Sequence, residues 1–180
     1  MNVLVINGSP RAKGNSDILC DEFIRGAEEA GHQVEKISLR EKKIFPCKAC
    51  YACFRTGSCV QKDEMAEILR KAENADVLLL ASPTYFLTMS GQMKVMIDRL
   101  LPKWQGLGGK EAYVIVTGHD GKNGLRRNAE DLAGILENLG DPVRQVIWGE
   151  YVWQKGEVIG TRAMEEAYLA GKGIGKYYGD

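Results

Sequence analysis

Four of the five cysteines in this 180-residue chain fall within one short run: Cys47, Cys50, Cys53 and Cys59. The C-x2-C-x2-C spacing lets a tight loop present three thiolates to three corners of an iron–sulfur cubane. A fourth cysteine beyond the turn at Gly57 can close such a site. Structural zinc more often takes two C-x2-C pairs separated by a longer insert, and this run is more compact. Lys48 and Arg55 stand among the thiols and favour their ionised form by Coulomb attraction. The same residues also fit a plainer description, a loop of free thiols. Both readings stand at this point.

The second chemically suggestive stretch is Gly8-Ser9-Pro10-Arg11-Ala12-Lys13-Gly14-Asn15-Ser16. It joins an apolar strand directly to a helical pattern. Free N–H groups at a helix N-terminus attract an anion. Ser9 and Ser16 add hydroxyls, Asn15 an amide and Arg11 a charged fork. The Walker pattern fails, because the glycine spacing is one residue too long and Asn15 stands where a lysine is required. The dinucleotide pattern G-x-G-x-x-G fails too, because Pro10 replaces its second glycine. A single phosphate remains, and with it a mononucleotide. Against this stands the reading of Ser16 as a helix cap and of the glycines as turn formers.

The elements that must position these residues follow from hydrophobic periodicity. Apolar runs at 2–6, 32–38, 75–81, 111–117 and 143–148 predict strands. Between and after them, helical spacing covers 16–30, 65–72, 91–101, 125–139 and 161–170. Strict alternation of this kind predicts an α/β, doubly wound, five-stranded parallel sheet with right-handed crossovers. Five strands in this length suit the flavodoxin-like order 2-1-3-4-5. Ligands of such sheets bind beyond the carboxyl ends of the strands, which singles out the loops at 7–15, 82–90 and 118–124. The cysteine run lies between the second strand and the second helix.

Length and charge set the outer bounds. One domain spanning 1–180 is expected, with a cysteine-rich loop at 46–60 and an extension at 149–180. Lys+Arg and Asp+Glu are both 24, so the net charge is zero and nucleic acid is not expected as a partner. No apolar run reaches membrane-spanning length, and residues 1–6 lack the features of a signal peptide. A reducing, cytoplasmic setting is expected. Cys20, alone in an apolar helical pattern, reads as a small core residue. A phosphorylated receiver would need an acidic pair after strand one and an aspartate ending strand three. Asn7-Gly8 and Ser82-Pro83 occupy those places.

The stretch V-I-N-G-S-P-R-x-x-G-N-S at 5–16 resembles the flavodoxin-like NAD(P)H-dependent FMN reductase family. The cysteine run resembles that of its iron–sulfur flavoprotein branch, which holds a [4Fe–4S] cluster on C-x2-C-x2-C-x5-C. Ser82 to Phe86 is similar to the family's P-x-Y-x segment, and Ser90 to Arg99 to its S-G-x-x-K-x-x-I-D-R helix. The resemblance implies FMN, with its phosphate on Ser9, Arg11, Asn15 and Ser16. Pro83, Thr84, Tyr85, Phe86, Thr117 and Gly118 would then border the isoalloxazine, with amides of 84–86 on its pyrimidine edge. Cys47, Cys50, Cys53 and Cys59 would be the cluster ligands. It further implies NAD(P)H as electron donor, or ferredoxin where a cluster is present, and a homodimer or homotetramer. No side chain is required as acid or base, so no catalytic residue is named. His119 departs from the family's pattern, and its role stays open between a flavin contact and a solvent-facing loop residue. A non-catalytic electron carrier exchanging electrons with ferredoxin is the alternative.

Overall fold

The computed structural model describes residues 1–176. Tyr177 and Tyr178 of the 149–180 extension lie outside the described residues. Five strands form one parallel sheet: β1 (Asn2–Asn7), β2 (Gln33–Ser38), β3 (Val77–Pro83), β4 (Glu111–Thr117) and β5 (Val143–Gly149). Their order is β2-β1-β3-β4-β5 and every pairing is parallel. The three central strands are apolar along their length because helices cover both faces. Edge strand β2 instead alternates between exposed and half-buried positions.

The helices are α1 (Asn15–Glu29), the single turn α2 (Cys53–Thr56), α3 (Met65–Asn74), α4 (Gly91–Asp98), α5 (Lys122–Leu139) and α6 (Arg162–Lys172). α3, α4 and α5 bury one core against the sheet, around Met65, Met93, Met96 and Leu132. α1 and α6 bury the other, around Leu19, Phe23, Tyr113 and Ile147, and Cys20 is fully enclosed there. α4 ends at Asp98, three residues short of the predicted end. Pro102 forbids a continuing α-helix and the chain tightens into a 3-10 turn over Leu101–Gly106.

α6 lies directly on α1. Gly26 faces the Tyr168 carbonyl and Gly171 faces the Phe23 carbonyl, and a methyl at either glycine would overlap the opposing oxygen. The 149–161 segment leading into α6 is thereby drawn back over the carboxyl end of the sheet. Among the described residues no helix is long and apolar enough to cross a membrane.

Candidate functional site

β1 delivers the chain into the 8–14 loop at the sheet's switch point, between β1 and β3. Gly8 N–H bonds the Ala81 carbonyl of β3 (2.8 Å), and the Ser90 hydroxyl donates to the Gly8 carbonyl (2.7 Å). A side chain at Gly8 would press on Ser90 and Met93, so only glycine passes here. Buried Asn7 folds back with its side-chain oxygen accepting from Ser9 N–H (2.9 Å), while its amide donates to Asp17 (2.8 Å). Asp17 also accepts from Lys13 N–H (2.8 Å), which holds Lys13 in its left-handed conformation. One buried carboxylate thus ties both ends of the loop.

Asp17 lies one residue beyond Ser16, near the place proposed for a phosphate. Burial alone would raise its pKa. The Lys36 ammonium (2.6 Å), the Lys13 N–H and Arg40 outweigh burial and hold the carboxyl below its ordinary value. Lys36 and Arg40 come from β2 and the turn after it, so the charge near the site is compensated from behind.

α1 opens at Asn15 with Gly14 as its N-cap and no side-chain cap. Its first hydrogen bond runs from Ile18 N–H to the Gly14 carbonyl, which leaves the first-turn N–H groups without helical partners. Ser16 does not cap the helix. Its hydroxyl lies 2.7 Å from that of Thr117 at the end of β4.

These groups line one end of a cavity of about 400 Å³ that also takes in Pro83, Thr84, Tyr85, Phe86, Thr117 and Gly118. All ten residues singled out from the sequence for a cofactor meet there. The 85–88 turn is closed by paired bonds between Tyr85 and Thr88. It places Phe86 and Leu87 at φ +46° and +74°, a mirror-image turn that normally takes Gly or Asn. Phe86 is thrown fully into solvent and Tyr85 is exposed, so neither aromatic is a core residue.

Some of these groups are already engaged by the protein. Thr84 N–H is spent on the Thr117 carbonyl (2.7 Å) and Tyr85 N–H on the Thr88 carbonyl (2.9 Å), because the strand pairing and the turn claim them. Of the three amides expected on a ring edge, only that of Phe86 has no protein partner among the described residues. Asn15 borders the cavity, but its side chain braces the returning segment. It donates to the Gln154 carbonyl (2.9 Å) and accepts from Gly156 N–H (3.0 Å) and Val158 N–H (3.3 Å).

That segment supplies a further wall: Trp153, an aromatic of the extension open from the sequence to a pocket or a subunit contact, with Val152 and Lys155, which the sequence did not reveal. Arg11 donates to the Trp153 carbonyl (2.9 Å), and the Trp153 ring meets His119 edge-on at 5.7 Å. Asp120, Gly124 and Leu125 complete the border. Behind it, fully buried Asn128 donates to the Thr84 hydroxyl (3.0 Å). No spacing in the sequence links 152–155 to 9–16. The link is made by Asn15 and by the packing of α6 on α1.

The four clustered cysteines line a second cavity, of about 210 Å³, between the 46–60 loop and the end of α4. Ala49, Tyr51 and Gly57 take left-handed backbone conformations along this loop. Ala49 N–H donates to Cys47 Sγ (3.4 Å). Among the described residues no group of His, Cys, Asp or Glu is placed to share a single metal ion. Arg99 lines the same cavity. It is 2 % exposed, and among the described residues its buried Nε has no hydrogen-bond partner.

The doubly wound sheet and its switch-point cavity define a flavodoxin-like protein. Within that class, the sequence model of the NADPH-dependent FMN reductase family matches residues 1–147, and the chain belongs to that family. An iron–sulfur flavoprotein of Archaeoglobus fulgidus is 43 % identical over 102 residues, 57 % of this chain and 46 % of that protein. One of Methanocaldococcus jannaschii is 41 % identical over 102 residues, 57 % and 53 % of the two. The chain spans about half the length of these curated relatives. An azoreductase of Bacillus anthracis shares the fold, with a TM-score of 0.79 at 17 % identity over 96 % of this chain and 99 % of that one.

Proposed function

We propose that the chain is an FMN-dependent oxidoreductase that passes electrons from NAD(P)H to an acceptor. The observation that carries this is the single cavity in which three strand-end loops meet. Helix amides without helical partners stand at one end of it and exposed aromatics at the other. Ser9, Arg11, Ser16 and the first-turn amides of α1 bind the phosphate. Pro83, Tyr85, Phe86 and Gly118 border the ring system, Phe86 N–H donates to its polar edge, and Val152 and Leu125 keep water from its apolar side. Bound FMN supplies the hydride-accepting and electron-passing chemistry, so the protein's part is binding, orientation and electrostatics.

Cys47, Cys50, Cys53 and Cys59 are proposed to hold a [4Fe–4S] cluster. The convergence of the four thiols on one cavity and the unpartnered Arg99 Nε beside them support this. A reducing, cytoplasmic setting is proposed with it, where clustered thiolates serve metal or redox chemistry. Exposed Phe86, Leu87, Tyr151 and Trp153 favour a homodimer or homotetramer whose neighbouring subunit covers them. One observation favours ferredoxin exchange as a second reading. Residues 42–62 carry five cations (Lys42, Lys43, Lys48, Arg55, Lys62) and no acid, in a chain of zero net charge, which suits an acidic carrier.

Anaerobic purification followed by an absorption spectrum and iron and sulfide analysis tests cofactor and cluster together. Rapid mixing with NADH, NADPH or reduced ferredoxin then tests the donor. Bleaching by ferredoxin alone would replace the reductase by the carrier. A colourless protein that takes up no FMN would refute both.

A further inference from the structure

The base of the cysteine-rich loop is closed around one buried side chain. Arg99, the residue that closes α4, is 2 % exposed, and its partner Asp63 has a side chain only 1 % exposed. The pair is bidentate: Nη1 and Nη2 of Arg99 donate to the two carboxylate oxygens of Asp63 at 2.7 and 3.0 Å. Nη1 also donates to the Phe45 carbonyl (2.5 Å), and Phe45 N–H returns to Asp63 (2.9 Å). Phe45 precedes the loop and Asp63 follows it. Gln61 adds a bond to the Pro46 carbonyl (3.0 Å), and Asp63 goes on to accept from Met65 N–H at the start of α3 (3.2 Å). The buried Arg99–Asp63 pair thus closes the base of the seventeen intervening residues, and just outside it Lys42 pairs with Glu64 (3.0 Å).

This arrangement leaves something over. The guanidinium uses Nη1 and Nη2 on the clamp, and among the described residues its buried Nε has no hydrogen-bond partner. A buried donor left unpaired is costly and calls for an acceptor. Arg99 borders the cavity that the four cysteines line, and Cys59 is among the groups that face it. Two hydrophobic residues would close a loop more cheaply than a desolvated ion pair. A fixed cation next to a thiolate is what a hydrophobic clasp cannot supply.

We infer that Arg99 is a positioning residue of the cysteine site: clamped by Asp63, it closes the 46–60 loop and sets a buried positive charge against Cys59. The inference rests on the cluster reading given above and deepens it. A cluster on four thiolates is anionic and gains a further negative charge on reduction. A neighbouring cation favours the reduced state, and a neighbouring anion opposes it. Arg99 and Asp63 thus act on the cluster with opposite signs, although both belong to one clamp.

The test uses the anaerobically purified holoprotein and its Arg99→Gln, Arg99→Lys and Asp63→Asn variants. Iron and acid-labile sulfide are measured, and the cluster is titrated potentiometrically. Arg99→Gln is expected to lower the reduction equilibrium constant about tenfold, which is 59 mV for one electron. Arg99→Lys, which keeps the charge but not the bidentate grip, should lower the potential less than Arg99→Gln, and Asp63→Asn should move it upward. A clamp that is merely structural would shift both variants the same way or not at all, and either result overturns the inference. If Arg99→Gln does not fold, the direction of the Asp63→Asn shift decides alone. Wild-type protein devoid of iron and sulfide would instead refute the cluster reading, and the inference with it.

Discussion

The hydroxyls of Ser16 and Thr117 lie 2.7 Å apart although 101 residues separate them in sequence. Ser16 opens the helix after β1 and Thr117 ends β4. The contact spans the switch point of the sheet and joins the loop proposed to hold a phosphate to the wall proposed to border a ring.

Ser16→Ala and Arg11→Ala are each expected to weaken FMN by ~1–3 kcal/mol, the usual cost of losing a charged or buried hydrogen bond. Riboflavin, which lacks the phosphate, should be affected much less. Titration of flavin fluorescence with both ligands checks this. Equal losses for the two would mean that the phosphate lies elsewhere.

Asp17 predicts a pH dependence. Its carboxyl is held below the ordinary value by Lys36, Lys13 N–H and Arg40 against the effect of burial. A depressed carboxylate contributes stability that is complete above its unfolded pKa and disappears as pH falls through the lower folded one. Denaturant unfolding from pH 6 down through the carboxylate range should therefore show a smaller acid-dependent loss in Asp17→Asn than in the wild type. Parallel profiles would mean that the paired charge does not stabilise the fold.

Phe86 trades stability for binding. It is fully exposed at φ +46°, so it buries nothing and strains the backbone. Phe86→Gly should raise the stability of the apoprotein by about 1 kcal/mol, the relief of left-handed strain less the added freedom of glycine in the unfolded chain. The same change should weaken FMN. Thermal melts without ligand, followed by flavin titration, separate the two effects.

Gly171→Ala should cost ~1–3 kcal/mol, because the added methyl overlaps the Phe23 carbonyl and forces α6 off α1. The 152–155 wall hangs from the same packing, so FMN affinity should fall as well. Chemical denaturation and a flavin titration of the same preparation test the coupling.

The strands and most of the helices were legible in the sequence because their periods are local: buried strands read as apolar runs, amphipathic helices as stripes. Parallel order and the switch point followed from alternation. The ten cavity residues were singled out by the loops at the strand ends together with the family resemblance of residues 5–16 and 82–86. Cys47, Cys50, Cys53 and Cys59 announced themselves by spacing within one loop.

Other features depend on contacts that spacing does not encode. Asn15 offers the same amide to a phosphate or to a peptide, and only the return of residues 154–158 shows which it takes. Thr84 and Tyr85 carry free-looking amides until β4 and Thr88 claim them. Arg99 reads as the end of a helix, yet it meets Phe45 and Asp63 from far along the chain. Local sequence determined which elements form and which residues face the strand ends. Tertiary packing decided which polar groups are already satisfied by the protein and which remain free for a ligand, because a hydrogen-bond donor is assigned by whatever the fold brings within about 3 Å of it.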